Sequence, residues 1–210
     1  MDKILESLKN TYNQITEAGY IDTRGQGNAD EVFVRKWLKA ALNKKYPGKI
    51  KDVIAPTYDE DHNLKIDGWI VENDDSKKSI TIKSRLDPNS NKDIIFEYYI
   101  NYRDKTPGRD LLSKADYLAI KFLNNRIVLI DRAVMKKMME PFIKQFYDAM
   151  KFNPGIRRIS DGTNPRDRSK DRNYSVVVVV TNDPEGNREK LMCYIDADKI
   201  PKVIDFNVKA

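Results

Sequence analysis

The chain contains 210 residues, 40% of them hydrophobic and 33% charged, which is enough apolar material for one main domain with a full core. Its 38 basic residues outnumber its 32 acidic ones, and the net charge of +6 favours a polyanionic partner over an acidic one. A single cysteine and a single histidine exclude an internal disulfide and the usual zinc sites. The N-terminal segment lacks an uninterrupted apolar run, so neither a signal peptide nor a membrane span is predicted, and a cytoplasmic location is expected.

Apolar residues at helical spacing predict two helices in the first 45 residues. The first covers about 2–18. The second begins near Asn28, a capping residue that precedes Glu31 by three positions, and runs to about Lys45. The following Tyr46-Pro47-Gly48 ends this helix.

The chain then changes to isoleucine-rich, strand-like segments separated by polar turns. These segments are Ile50–Thr57, Leu64–Val71, Ser79–Arg85 and Ile94–Ile100. The second and third pair most simply as a hairpin, and the fourth continues the same meander. A strand or short helix over 113–119, a strand over 126–131 and a methionine-lined helix over 133–151 follow.

The last quarter of the chain combines a basic loop with a hairpin. Residues 153–173 lose apolar periodicity and predict a loop of a length that is uncommon inside a compact domain. Tyr174–Thr181, with five successive valines, predicts a buried strand that pairs with Lys190–Ile195 in a C-terminal hairpin over 174–196. The whole order predicts an α/β or α+β fold: a central mixed β-sheet flanked by helices, in a single domain with its core over about 28–150.

Three consecutive predicted strands carry an acid, a base and an acid at alternating positions: Asp67, Lys83 and Glu97. Side chains at i and i+2 share one face of a strand, so these groups fall on polar faces while isoleucines pack on the other. Mg²⁺ prefers oxygen ligands, so Asp67 and Glu97 with a substrate phosphate would complete a site, and Lys83 would add a cation beside the same oxygens. The pattern predicts phosphodiester hydrolysis that requires Mg²⁺ or Mn²⁺.

Each member of this trio also has a structural interpretation. Asp67 beside Gly68 is typical of a bulge or turn, and Lys83 with Glu97 is typical of an ordinary cross-strand ion pair. Glu31 fits a capping box at the start of the second helix.

Three segments of the meander resemble the core of the PD-(D/E)XK nuclease superfamily, which has the restriction-endonuclease-like fold. They are Lys65-Ile66-Asp67, Ser79-Ile80-Thr81-Ile82-Lys83-Ser84-Arg85 and Ile95-Phe96-Glu97. The downstream run from Ser113 to Ala119, followed by a strand ending in Ile130-Asp131 and a helix, is similar to phage-type members of that superfamily. The similarity covers about 28–145.

This resemblance implies a metal-dependent deoxyribonuclease, acting in the host cytoplasm if phage-encoded. It implies that Asp67 binds the metal and that Lys83 positions or activates the attacking water. The chain departs from the family at Thr81, where an acid is expected. Glu97 is the better donor of the missing carboxylate, and Glu31 resembles the accessory helical acid of some members.

Basic side chains outside the trio are candidate contacts to the DNA backbone. They are Arg85, Arg103, Arg157, Arg158, Arg166, Arg168, Lys170 and Arg172. A solvated loop of alternating charge is the other interpretation of the last six. For the whole chain, two alternatives stay open: a catalytically inactive nuclease-fold protein that binds nucleic acid, which Thr81 would explain, and a module that binds a protein partner.

Overall fold

The computed structural model describes residues 23–85, 93–160, 174–183 and 186–208. These residues form an α+β fold with four α-helices and two β-sheets. The helices are α1 Thr23–Lys45, α2 Tyr58–Leu64, α3 Arg109–Leu112 and α4 Arg132–Phe152. The strands are β1 Ile50–Ile54, β2 Gly68–Glu72, β3 Lys77–Arg85, β4 Asp93–Asn101, β5 Thr106–Pro107, β6 Tyr117–Phe122, β7 Arg126–Asp131, β8 Arg158–Ser160, β9 Tyr174–Asp183, β10 Gly186–Asp196 and β11 Ile204–Asn207.

The larger sheet is mixed and contains six strands in the order β1-β2-β3-β6-β7-β11. Strands β2 and β3 form the predicted antiparallel hairpin, with Gly68 opposite Ile80. Strand β3 pairs on its other side with β6, and this pair is parallel. A parallel pair requires a long crossover connection, which the chain between β3 and β6 provides.

The prediction that β4 continues the meander was wrong. This strand lies in a second sheet of five strands, in the order β5-β4-β10-β9-β8. Its residues pair antiparallel with β10, for example Phe96 with Cys193. The alternation of Ile94 and Phe96 satisfies a buried face in either sheet, so the local pattern does not select the partner strand.

Two apolar cores lie against the larger sheet. On one face, Val34, Leu38 and Leu42 of α1 pack with Ile80 and other residues of that sheet. The second core joins residues of α4, of the larger sheet and of the second sheet in one cluster. It buries Met135, Met139 and Phe146 fully, so the predicted methionine stripe of α4 is confirmed as core.

The predicted C-terminal hairpin is confirmed as β9 and β10, which pair antiparallel from Tyr174 opposite Ile195 to Asp183 opposite Gly186. The chain then continues into β11, which the sequence did not predict and which pairs with β7 in the other sheet. Arg126 of β7 stabilises the position of β11, because its guanidinium donates to both carboxylate oxygens of Asp205, at 2.9 and 2.8 Å.

Several expectations concern residues outside the described part of the chain. The helix predicted over 2–18 lies there, and so do residues 161–173 of the basic loop. Of the remainder of that loop, residues 158–160 form an edge strand. No described helix combines the length and the apolar character needed to cross a membrane.

Candidate active site

Asp67 occupies the turn before β2 and not the strand itself. The polar run predicted as a turn over 59–63 is helix α2, because Thr57 and Glu60 form a reciprocal capping box at its start. The helix ends at Lys65 in the left-handed conformation (φ 57°), which redirects the chain toward β3. The Asp67 N–H then donates to the Ile80 carbonyl at 2.8 Å. The position of Asp67 therefore depends on a helix end and not on strand alternation.

The Asp67 carboxylate is 3% exposed and is held by neutral donors. Its Oδ2 accepts hydrogen bonds from the Thr81 hydroxyl at 2.7 Å and from the Ile82 N–H at 2.6 Å. Its Oδ1 lies 3.6 Å from the Arg109 guanidinium and accepts no hydrogen bond from a described residue. The pKa of Asp67 is raised above its ordinary value, because the effect of burial is larger than the lowering by the two hydrogen bonds and by Arg109. Among the described residues, Oδ1 therefore has an ion-pair partner in Arg109 but no hydrogen-bond donor.

Two further carboxylates lie near Asp67. Burial raises the pKa of Glu31, and the charge of Asp67 and then that of Asp61 raise it further. Arg35 offsets part of this repulsion, because its Nη1 lies 3.3 Å from Glu31 Oε2 and donates to the Asp67 carbonyl at 2.7 Å. Helix α1 begins five residues before Asn28, so Glu31 is not a capping-box acid. Instead, it shares Arg35 with Asp67, since this guanidinium contacts the Glu31 carboxylate and the Asp67 carbonyl.

Lys83 lies two residues after Thr81 on the same face of β3, and its ammonium contacts a carboxylate that the sequence did not predict. This is Asp110 of α3, which is 3% exposed and whose Oδ2 also accepts the Glu97 N–H at 2.7 Å. The acid stands in a four-residue helix with no periodic pattern, so only its three-dimensional contacts reveal it. Gly108 allows this helix to approach β4, because a Cβ there would meet the Glu97 carbonyl oxygen at 2.5 Å.

Arg109 contacts both Glu97 and Asp67, through its backbone N–H and through its guanidinium respectively. The Glu97 Oε1 accepts the Arg109 N–H at 3.0 Å, and its Oε2 lies 3.3 Å from the Lys190 ammonium. The Arg109 guanidinium extends toward Asp67 instead. Among the described residues, no group of three histidine, cysteine, aspartate or glutamate side chains is arranged to hold a metal ion. A divalent ion here would depend on two carboxylates, which suffices for Mg²⁺ when water and a phosphate supply the rest.

The predicted DNA contacts are dispersed. Arg103 and Arg157 meet at Glu189, with Arg103 Nε 2.9 Å from a Glu189 oxygen, and both guanidinium groups lie over the Tyr102 ring. Arg85 ends β3 and Arg158 begins β8, and both are partly buried. Arg166, Arg168, Lys170 and Arg172 lie outside the described residues. The structure therefore groups Arg103 with Arg157 at a shared carboxylate.

Neither family models, curated proteins nor solved structures give a match to this chain. The contacts of Asp67 and Lys83 are therefore what a functional proposal has to explain.

Proposed function

We propose that this chain is a nuclease of the PD-(D/E)XK type that hydrolyses phosphodiester bonds in DNA with Mg²⁺ or Mn²⁺. The observation that carries the proposal is the contact between Asp67, at the start of β2, and Thr81, two residues before Lys83 on β3. The motif of that superfamily requires this juxtaposition across a hairpin. A mixed sheet with α1 and α4 on its two faces is compatible with the restriction-endonuclease-like fold.

Asp67 and Glu31 are the residues that would hold the ion. Their carboxylates repel each other at neutral pH, and a divalent cation would relieve this repulsion. Glu31 fits this role better than Glu97, because both Glu97 oxygens already face the Arg109 N–H or the Lys190 ammonium. The ion would supply a more acidic water and a counter-charge for the scissile phosphate.

Lys83 would place its ammonium beside the phosphate, and Asp110 is the positioning residue that orients it. The net charge of +6 supports a polyanionic substrate. The missing acid at Thr81 is thereby replaced by a hydroxyl that fixes Asp67 and by the carboxylate of Glu31.

Plasmid cleavage tests this assignment. Supercoiled DNA is incubated with the protein in Mg²⁺, in Mn²⁺ or in EDTA, and nicked and linear products are measured. We expect cleavage in either metal, no cleavage in EDTA, and a loss of at least about 100-fold in rate for Asp67→Asn and for Lys83→Met. Asp148→Asn is the matched control, since Asp148 is an acid on α4 that pairs only with surface lysines. Full activity of Asp67→Asn would contradict the assignment.

A second function is favoured by one specific observation, the direct Lys83–Asp110 ion pair together with a hydroxyl at Thr81. This arrangement fits a nuclease fold that binds nucleic acid without cutting it. Retention of DNA that falls with rising salt, without cleavage in either metal, would select this function. Absence of DNA binding would contradict both functions and favour a protein partner.

A further inference from the structure

A polar cavity of about 420 Å³ lies where β3 and β6 begin and where α4 follows β7. None of the residues that line it belongs to the predicted site. Its charged lining consists of Lys78, Lys114, Arg132 and Lys136 together with Asp116 and Asp131.

The two acids of this cavity already have partners in the backbone. Asp131 caps helix α4, since its Oδ1 accepts the N–H groups of Ala133 and Val134 at 2.8 and 3.1 Å. Asp116 Oδ2 accepts the Ser79 N–H at 2.8 Å and the Ser79 hydroxyl at 2.9 Å. Both carboxylates are therefore held at the edge of the cavity and are not paired with its lysines.

The three lysines of the cavity, by contrast, have no direct ion-pair partner within the described residues. They are Lys78, Lys114 and Lys136. Lys136 is partly buried, and its burial, followed by the charges of Arg132 and Lys114, lowers its pKa. The charge of Asp110 offsets part of this effect, but Lys114, Arg132 and Lys136 still repel one another at the cavity.

Arg132 adds a fixed positive charge at the base of the cavity. Its guanidinium is 3% exposed and donates to the carbonyls of Ser113 and Ala115, both at 2.8 Å, and to that of Asp110. Carbonyl oxygens satisfy these N–H groups but carry no net charge. The charges of Asp110 and Asp116 favour the charged guanidinium, yet burial still lowers the pKa of Arg132, so its positive charge is compensated only in part. A bound anion would compensate this charge and that of the two nearby lysines.

We propose that this cavity binds a backbone phosphate of the nucleic acid. Lys114 and Lys136 would contact the phosphate, and the buried Arg132 guanidinium would add positive charge behind them. The proposal rests on the DNA partner of the proposed function and adds a contact outside the predicted set. Ser79, which donates to Asp116 of the cavity, and Lys83 lie four residues apart on one face of β3, which is about 13 Å along a strand. The phosphate held here would therefore lie near the scissile one on the same nucleic acid without being adjacent to it. Helix α3 links the two positions, because Asp110 contacts Lys83 through its carboxylate and Arg132 through its carbonyl.

The test measures DNA affinity in EDTA, so that cleavage does not enter. Fluorescence anisotropy with a short labelled duplex is recorded at several salt concentrations for the natural chain and for the double variant Lys114→Gln/Lys136→Gln. We expect the variant to bind about 10-fold more weakly and the slope of log affinity against log salt to fall by about 1 to 2. Inorganic phosphate is titrated in parallel and thermal unfolding is recorded.

Lys144→Gln/Lys151→Gln is the matched control. It also removes two positive charges, and both of its lysines lie on α4, as Lys136 does, but they are exposed and already paired with Asp148. We expect this control to keep the natural salt slope. Equal effects of the two double variants would overturn the proposal, because they would indicate a response to net charge alone. Stabilisation by inorganic phosphate that depends on Lys114 and Lys136, with unchanged DNA affinity, would also overturn it.

The outcome is distinguishable from failure of the proposed hydrolysis. If the natural chain binds DNA with the expected salt slope but does not cleave it, the proposed hydrolysis is contradicted and the proposed phosphate site is not. If the chain cleaves DNA and Lys114→Gln/Lys136→Gln binds DNA like the natural chain, the phosphate site is contradicted and the hydrolysis is not.

Discussion

The surroundings of Asp67 and of Asp110 differ in how they compensate a buried carboxylate, although both residues are 3% exposed. Asp110 contacts the Lys83 ammonium directly and accepts the Glu97 N–H. Among the described residues, the hydrogen bonds to the Asp67 carboxylate come from neutral donors, and the cation beside it, Arg109, lies 3.6 Å away with a side chain that is 59% exposed. The charge of Asp110 therefore has a counter-ion in direct contact, whereas the counter-ion of Asp67 is more distant and more exposed to water.

Under the proposed function, this difference separates a structural acid, Asp110, from a metal-binding one, Asp67. A buried charge with a direct counter-ion joins elements together, as Asp110 joins β3, β4 and α3. A buried charge with a raised pKa and a second acid nearby destabilises the isolated protein and is retained where a ligand compensates for it. The expected consequence is that removal of the two charges changes stability in opposite directions.

The largest effect is expected for Asp110→Ala. This change leaves the partly buried Lys83 ammonium without a counter-ion and the Glu97 N–H without its acceptor, so we expect a loss of about 3 kcal/mol in the free energy of unfolding. The Arg132 contact is to the Asp110 carbonyl and survives the substitution. Urea unfolding measures the loss.

Asp148→Ala serves as the control, because this acid pairs with two lysines on the surface of α4 and should change the free energy of unfolding only slightly. A double-mutant cycle with Lys83→Met should give a coupling above about 1 kcal/mol between Lys83 and Asp110. A loss no larger than that of the control would mean that the Asp110 charge is not structural, and the contrast with Asp67 would fail.

A smaller loss is expected for Thr81→Val, which keeps the shape of a side chain that is 4% exposed but removes the hydroxyl that donates to Asp67 Oδ2. A buried hydrogen bond to a charged acceptor is worth about 1.5–3 kcal/mol, and we expect a loss near the lower end because the Ile82 N–H remains. Chemical denaturation measures it. In the Asp67→Asn background the acceptor is uncharged, so Thr81→Val should lower the free energy of unfolding by less. An equal loss in both backgrounds would show that the Thr81 hydrogen bond gains no strength from the Asp67 charge.

Local patterns in the sequence predicted much of the region around Asp67. The hairpin of β2 and β3 follows from two isoleucine-rich segments and a polar turn, and the pairing of Gly68 with Ile80 confirms it. The same patterns predicted helix α4 and the hairpin of β9 and β10. These elements are specified by residues close together in the chain.

The region around Asp110 was not predicted, because it depends on contacts between distant segments. Alternating apolar residues predicted β4, but the choice between two sheets depends on β10, about 95 residues later. Asp110 has no repeating neighbours, and its burial results from the approach of α3 to β4 at Gly108. The trio of Asp67, Lys83 and Glu97 therefore combined two residues of the larger sheet and its adjoining loop with one that lies in the other sheet.

The smallest change in stability, and the one of opposite sign, is expected for Asp67→Asn. Asparagine keeps an oxygen that accepts from Thr81 and Ile82 but carries no charge, so it removes the burial penalty. Because the folded pKa of Asp67 lies above its ordinary value of 3.8, the folded state holds the proton more tightly than the unfolded state. The contribution of Asp67 to the free energy of unfolding should therefore fall as pH rises from about 3.8 through the folded pKa, and Asp67→Asn should lack this contribution.

Urea unfolding of both proteins between acidic and neutral pH isolates this contribution, since their other titrating groups are shared. The two curves should meet at low pH, where Asp67 is protonated in both states, and separate in favour of Asp67→Asn toward neutral pH. Asp67→Asn also removes the repulsion between the Asp67 and Glu31 charges, which stabilises the variant further toward neutral pH. A variant that is less stable than the natural chain at neutral pH would mean that the fold already compensates the Asp67 charge, as it does for Asp110, and that no cation is needed there.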